Sequence, residues 1–322
     1  ALDDLMDDPN AVDDDGVAYV DMKWEYLFTL GKYHARWSEL TDTDFHPVYN
    51  REKGAKSVIA VADVGDYDLI DEDMATEESG QTGFVYLRKI IEDCQARGID
   101  VLLVHLPYPA NEQQQMDANA VAYIAEDYGL NYIDFVSMDQ VADYATDCFD
   151  AHEHLNPSGA RKVSDYLGRY ITEHYDVADR RGDAAYTAWA DDAATYREKK
   201  LADFENQSEL ASTLMLLHDD DFACTVTIGA GNALFENEKL MTLMQNIARE
   251  HVFEEDLFAK WSNSLFPLER LDEAAQSGQS YAVTINRAAG ELEETVGADV
   301  PEGVRITLMN SVSGETLCEK QF

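Results

Sequence analysis

Basic residues are scarce in this sequence. Only 24 lysines and arginines stand against 64 aspartates and glutamates, which gives a net charge of −40 at pH 7. A surface of this sign repels phosphate backbones and anionic lipid headgroups, so we expect neither nucleic acid nor an anionic membrane surface as a partner. An acidic, well-solvated surface is typical of secreted or salt-tolerant proteins, and a cationic ligand is the alternative explanation.

Cysteines are also few, and their spacing matches no zinc or Cys-x-x-Cys pattern. Cys94 and Cys224 fall in a predicted helix and a predicted strand, where we expect them to act as small core residues. Cys148 lies two residues before Asp150, which makes it an alternative candidate nucleophile. Cysteine spacing therefore predicts no metal site.

Long apolar runs are missing as well. No stretch approaches the ~18 residues that a membrane-spanning helix requires, and no signal peptide is recognisable. The chain begins at Ala1 without a methionine, and we interpret it as part of a longer protein. In that protein a membrane anchor would lie outside these residues.

A length of 322 residues is sufficient for two domains, and a hydrophobic content of 45% is that of a globular chain. From residue 84 to residue 171 helical and strand patterns alternate, with the strands at 101–104 and 132–135 and, between them, a helix that is predicted to end near Gly129. This order predicts a parallel sheet covered by helices on both faces. An aromatic helix at 24–40 and an extended segment at 58–62 precede it.

The C-terminal part of the sequence repeats the mixed pattern on a smaller scale. A charged connector follows residue 178, and residues 186–201 predict an amphipathic helix. Leu257, Phe258, Trp261 and Leu265 recur at helical spacing, which predicts an aromatic helix over 257–265. We therefore predict an α/β domain over 1–178, a helical connector over 179–205 and an accessory α/β domain over 206–322. The turn Gly229–Asn232 follows a strand, which would suit phosphate, but it lacks a complete dinucleotide or P-loop pattern.

The segment Asp150-Ala-His-Glu-His154-Leu-Asn156-Pro157-Ser-Gly-Ala-Arg-Lys162 stands out in the middle of the chain. Asn156 is a favourable N-cap and proline suits the first helical position, so a helix is predicted to begin at Pro157. His154 then lies on a loop directly before that helix. Loops of this kind commonly present reactive side chains.

This segment resembles the last sequence block of SGNH/GDSL-type hydrolases, most closely the cell-surface branch with the D-alanyl transfer protein of lipoteichoic acid synthesis and alginate O-acetyltransferase-like proteins. The resemblance implies a flavodoxin-like three-layer fold with a parallel sheet, present here in part. It implies that His154 is the general base of a Ser-His-Asp triad and Asp150 its orienting acid. The family pattern places the acid three residues before the histidine, whereas Asp150 lies four before it.

The same resemblance implies a bacterial cell-surface or extracellular acyl-ester hydrolase or O-acyltransferase. Its substrates would be acylated envelope glycans or teichoic acids, and it implies neither an organic cofactor nor a metal. The alternative hypothesis is that the chain belongs to a non-catalytic surface-binding or assembly protein with a degenerate form of the fold.

The family's nucleophile block, with its Gly-x-Ser, does not occur before Asp150. We expect the nucleophilic serine to lie upstream in a longer protein, so that this chain alone is inactive. Two other interpretations of the central segment remain. Asp150, His152, Glu153 and His154 could bind a metal, or the segment is a polar loop before a capped helix.

Overall fold

The computed structural model describes residues 42–45, 53–62, 64, 67–77, 81–138, 141–150, 154–219, 221–248, 251–253, 261–263 and 268–322. Two compact units divide the chain, residues 1–54 with 78–90 and residues 55–77 with 91–322. The first unit contains helix α1 (Asp42–Phe45) and the beginning of helix α2 (Thr82–Ala96). Helix α2 continues into the second unit.

The second unit contains all the other helices and strands described. Its helices are α3 (Glu112–Tyr128), α4 (Pro157–His174), α5 (Thr187–Asn206), α6 (Leu210–Leu216), α7 (Glu238–Ile247) and α8 (Leu271–Ser277). Its strands are β1 (Leu102–His105), β2 (Asn131–Asp134), β3 (Phe222–Ile228), β4 (His251–Phe253), β5 (Trp261–Asn263), β6 (Tyr281–Asn286), β7 (Glu291–Val296), β8 (Val304–Asn310) and β9 (Thr316–Gln321). Short 3₁₀ turns lie at Ala184–Tyr186, Ala233–Glu236 and Arg287–Ala289.

Strands β1 and β2 pair in parallel, with His105 opposite Asp134 at their carboxyl ends. Helix α3 connects them, and its boundaries follow from local chemistry. Asn111 and Gln114 form a reciprocal capping box at its beginning, and Gly129 ends it with φ 63°. The sequence prediction of a helix between two parallel strands is confirmed here.

Helix α4 packs its apolar stripe against this strand pair. Val163, Tyr166 and Tyr170 recur at helical spacing and are buried together with Ile133 and Phe135. The Phe135 and Tyr166 rings meet edge-on at 5.1 Å between centroids. This packing fixes the N-terminal end of α4, and with it the loop that carries His154.

The C-terminal half forms a five-stranded antiparallel sheet in the order β7-β6-β3-β8-β9. Successive side chains of a strand point to opposite faces of the sheet. On β3, Cys224, Val226 and Ile228 point to the inner face and are almost completely buried. Helices α6 and α7 contribute Leu214 and Met244 to the same core. The described residues thus form a mixed α/β structure, with the parallel pair β1-β2, the five-stranded antiparallel sheet and the antiparallel pair β4-β5.

The predicted extended segment 58–62 forms a loop, in which Ala62 makes an isolated antiparallel bridge with Cys148. Trp261–Asn263 pairs with β4 as a strand, where a helix over residues 257–265 was predicted from aromatic spacing. The predicted aromatic helix at 24–40 lies outside the described residues. Within the described part, no helix is both long and apolar enough to cross a membrane.

Candidate functional site

The loop that carries Asp150 and His154 is closed by backbone pairing. Cys148 and Leu155 form an antiparallel bridge, and Cys148 also bridges to Ala62. The amide of Phe149 donates to the carbonyl of His154 over 3.1 Å. The loop therefore begins and ends at the same place, which brings residues four apart in sequence close together.

Asn156 holds the base of this loop. Its side-chain oxygen accepts from the amides of Ser158 and Gly159, which caps helix α4 as predicted. Its amide nitrogen donates to the carbonyls of Thr146 at 2.7 Å and Ala60 at 3.2 Å. Because Asn156 is completely buried, one side chain joins the loop to the helix without access of water.

His154 and Asp150 are in direct contact. The Nδ1 atom of His154 lies 2.8 Å from Oδ2 of Asp150, and the backbone amide of His154 donates to Oδ1 over 3.3 Å. Because both the ring and the backbone amide of His154 contact one carboxylate, Asp150 pairs with the histidine although it lies four residues before it rather than three. The carboxylate holds the proton on Nδ1, so the lone pair of the neutral ring lies on Nε2.

The surroundings leave Nε2 accessible. The side chain of His154 is 64% exposed, whereas that of Asp150 is 32% exposed. Phe149 stacks on the imidazole with ring centroids 5.3 Å apart and an interplanar angle of 15°. Among the residues that the structure describes, none hydrogen-bonds to Nε2. The ring is thus oriented on one side and open on the other, which is the arrangement that a general base needs.

Asp147, the other nearby carboxylate, belongs to a buried cluster instead. Lys162 donates to its Oδ2 over 2.6 Å and Ser158 Oγ donates to its Oδ1 over 2.9 Å. Nδ1 of His218 lies 3.1 Å from the same Ser158 Oγ. The four side chains are at most 9% exposed. No sequence signal joins His218 to the central segment, because 60 residues separate it from Ser158.

The Ser158–His218 distance falls within the reach of a nucleophile and its base, but the direction of the bonds differs. Ser158 has one hydroxyl proton, and the carboxylate of Asp147 accepts it. His218 Nδ1 must therefore donate to Oγ, whereas a base would accept from it. The cluster joins α4 to the segment before β3, and we assign it a structural role.

A second histidine–carboxylate pair lies at the carboxyl ends of the parallel strands. Nδ1 of His105 is 2.8 Å from Asp134 Oδ1, and its Nε2 is 3.2 Å from the hydroxyl of Tyr108. Both ring nitrogens of His105 are therefore occupied. This distinguishes it from His154, whose Nε2 has no hydrogen-bond partner among the described residues.

Other candidate residues from the sequence have defined outcomes. Burial, reinforced by the charges of Asp147, Asp150 and Asp143, raises the pKa of the Cys148 thiol to about 12, which opposes a nucleophilic role near neutral pH. Gly229, the first residue of the turn considered for phosphate, packs against the backbone of residues 301–303. A Cβ added to Gly229 would lie 3.0 Å from the Cα atom of Glu302 and the carbonyl oxygen of Pro301.

His152 and Glu153, two members of the alternative metal cluster, lie outside the described residues, as does the aromatic segment at 24–40. Among the described residues, no group of three or more His, Cys, Asp and Glu side chains is placed to hold a metal ion.

Comparison of the chain with protein-family models, with curated proteins and with solved structures finds no match in any of the three.

Proposed function

We propose that this chain is part of a bacterial cell-surface SGNH-like acyl-ester hydrolase or O-acyltransferase, with a flavodoxin-like parallel sheet in its first domain. The observation that supports the proposal best is the contact between His154 and Asp150 at 2.8 Å. A histidine held by a carboxylate through Nδ1 and open at Nε2 matches the base of a Ser-His-Asp triad.

In this mechanism Nε2 of His154 removes the proton from a serine hydroxyl as the oxygen attacks the acyl carbonyl. The tetrahedral intermediate collapses, and the imidazolium returns the proton to the leaving alcohol. Asp150 fixes the tautomer and stabilises the imidazolium. Water or a second alcohol then removes the acyl group by the same steps, which gives hydrolysis or transfer. The serine belongs, in this proposal, to a part of the protein outside residues 1–322.

The proposed substrates are acyl esters on envelope glycans or teichoic acids. The resemblance of the segment around His154 to the cell-surface branch of the family supports this class. The net charge of −40 suits an extracellular protein that does not bind nucleic acid.

The test is hydrolysis of 4-nitrophenyl acetate by the longest native polypeptide that contains this chain. We expect His154→Ala to lower kcat by roughly 10²- to 10⁴-fold and Asp150→Asn to lower it in the same direction. His174→Ala is the matched control, because His174 is exposed at the end of α4, where its ring contacts the Tyr170 carbonyl and stacks on the Tyr170 ring. Unchanged hydrolysis in His154→Ala would refute the assignment.

One observation favours the alternative, a non-catalytic surface-binding or assembly protein. Within the described part of the chain, no serine hydroxyl is hydrogen-bonded to His154. The two proposals differ in a single result: the alternative predicts that the native polypeptide has no esterase activity above that of His154→Ala.

A further inference from the structure

A cavity of about 570 Å³ lies in the second unit. Helices α4, α5 and α6, strand β3 and residues 55–59 line it. Its volume is within the range of about 300–1,000 Å³ that small-molecule sites occupy. Asp150 and His154 do not line it, although the neighbouring Leu155 does.

Much of the cavity wall is apolar. Side chains from five separate parts of the chain line it, namely Ile59, Phe204, Met215, Phe222 and Leu308. Phe204 and Met215 are also members of the C-terminal core, so this wall is held rigidly. An apolar wall of this kind favours the aliphatic or aromatic body of a ligand, because its transfer from water is favourable.

The acidic side chains at the cavity are already neutralised. Lys200 binds Asp219 at 2.8 Å and also contacts Asp221, and Lys199 binds Asp203 at 2.6 Å. Although burial raises the pKa of Asp221, hydrogen bonds and charge from Lys200 and Arg197 outweigh it and keep the pKa below its ordinary value. Each of these three carboxylates is therefore paired with a lysine.

Lys56 differs from the other basic residues at the cavity. Its side chain lines the cavity, and it forms no ion pair with any residue in the described ranges. In a protein with a net charge of −40, a cavity whose lining acids are paired, and whose Lys56 ammonium has no ion-pair partner among the described residues, is locally favourable to an anion.

We propose that this cavity binds a small molecule with an apolar body and a single carboxylate. The apolar body lies against the wall formed by Phe204, Met215 and Phe222, and the carboxylate lies near Lys56. The site is independent of the proposed acyl chemistry, since neither Asp150 nor His154 takes part in it.

The test is isothermal titration calorimetry of the full chain with decanoate, below its micellar concentration. We expect saturable binding of about one decanoate per chain, and no binding of decyltrimethylammonium, which has a similar apolar body and the opposite charge. Lys56→Gln should weaken decanoate binding about two- to five-fold, as the loss of one exposed ion pair does. Lys89→Gln, at an exposed position on α2 remote in sequence from the cavity, should have no effect.

A second pair of variants tests the location. Ala160 lies on the exposed side of α4 and lines the cavity, so Ala160→Trp should block it with little effect on folding. Ala190→Trp places the same side chain on the exposed surface of α5, away from the cavity lining, and should leave binding unchanged. The proposal is overturned by the absence of saturable decanoate binding, by equal binding of decyltrimethylammonium, or by unaltered binding in Ala160→Trp.

Discussion

Gly159 and Gly168 lie in the same helix, α4, yet the structure predicts opposite results for the same substitution. A Cβ on Gly159 would lie 2.6 Å from the carbonyl oxygen of Asp147 and 2.9 Å from its Cβ. A Cβ on Gly168 would have nothing within 4 Å. The contact at Gly159 is with backbone, which cannot move aside without shifting the loop before His154.

The magnitudes follow from these distances. Gly168→Ala should stabilise the protein by up to about 1 kcal/mol, because alanine favours an exposed helix interior over glycine. Gly159→Ala should destabilise it by about 1–3 kcal/mol, the usual cost of overpacking a filled site. We therefore expect the free energies of unfolding of the two variants to differ by about 1–4 kcal/mol.

Urea unfolding followed by circular dichroism measures this difference, provided that the dependence on urea concentration is the same in both variants. Equal stability of the two variants would contradict the close approach of α4 to Asp147. It would also remove the physical reason for a glycine at this place in the segment.

Three further predictions concern the same region. Lys162→Met should lower the free energy of unfolding by about 3–5 kcal/mol, because it leaves the buried carboxylate of Asp147 without its cation. Arg97→Met is the control: it breaks an exposed pair with Asp93 and should lower the free energy of unfolding by about 1 kcal/mol or less in the same urea assay. Asn156→Ala should cost about 3 kcal/mol, from the lost helix cap and the unpaired buried carbonyls, and a cost below about 1 kcal/mol would show that the loop does not depend on it. Burial raises the pKa of the Cys148 thiol from 9.0 to about 12, so the thiol loses its proton at a lower pH in the unfolded chain than in the folded protein. The free energy of unfolding should therefore fall as the pH rises above about 9. Cys148→Ala should lose less stability than the native protein between pH 8 and pH 10, and an identical loss would contradict the raised pKa.

Local sequence signals predicted the parts of the fold that local chemistry determines. Asn156 followed by Pro157 predicted the beginning of α4, and the structure confirms both the cap and the boundary. Gly129 likewise predicted the end of α3. These residues act through their own backbone neighbours, so no knowledge of the tertiary structure is needed to interpret them.

The features that the sequence did not predict correctly are those that tertiary contacts determine. Aromatic spacing around Trp261 predicted a helix, but pairing with β4 makes Trp261–Asn263 a strand. The buried contact between Ser158 and His218 joins residues far apart in sequence, so no local pattern could predict it. The pairing of His154 with Asp150 was expected from the family resemblance and is observed in the structure, whereas its catalytic role stays a prediction.

The most direct test of the central claim is the rate at which a fluorophosphonate probe labels the longest native polypeptide, followed by peptide mapping of the modified residue. A serine is reactive towards such a probe only when a base activates it. We expect labelling of one serine outside residues 1–322, and we expect this labelling to be lost in His154→Ala but not in His174→Ala. Labelling at the same rate in His154→Ala, or labelling mapped to Ser158, would contradict it.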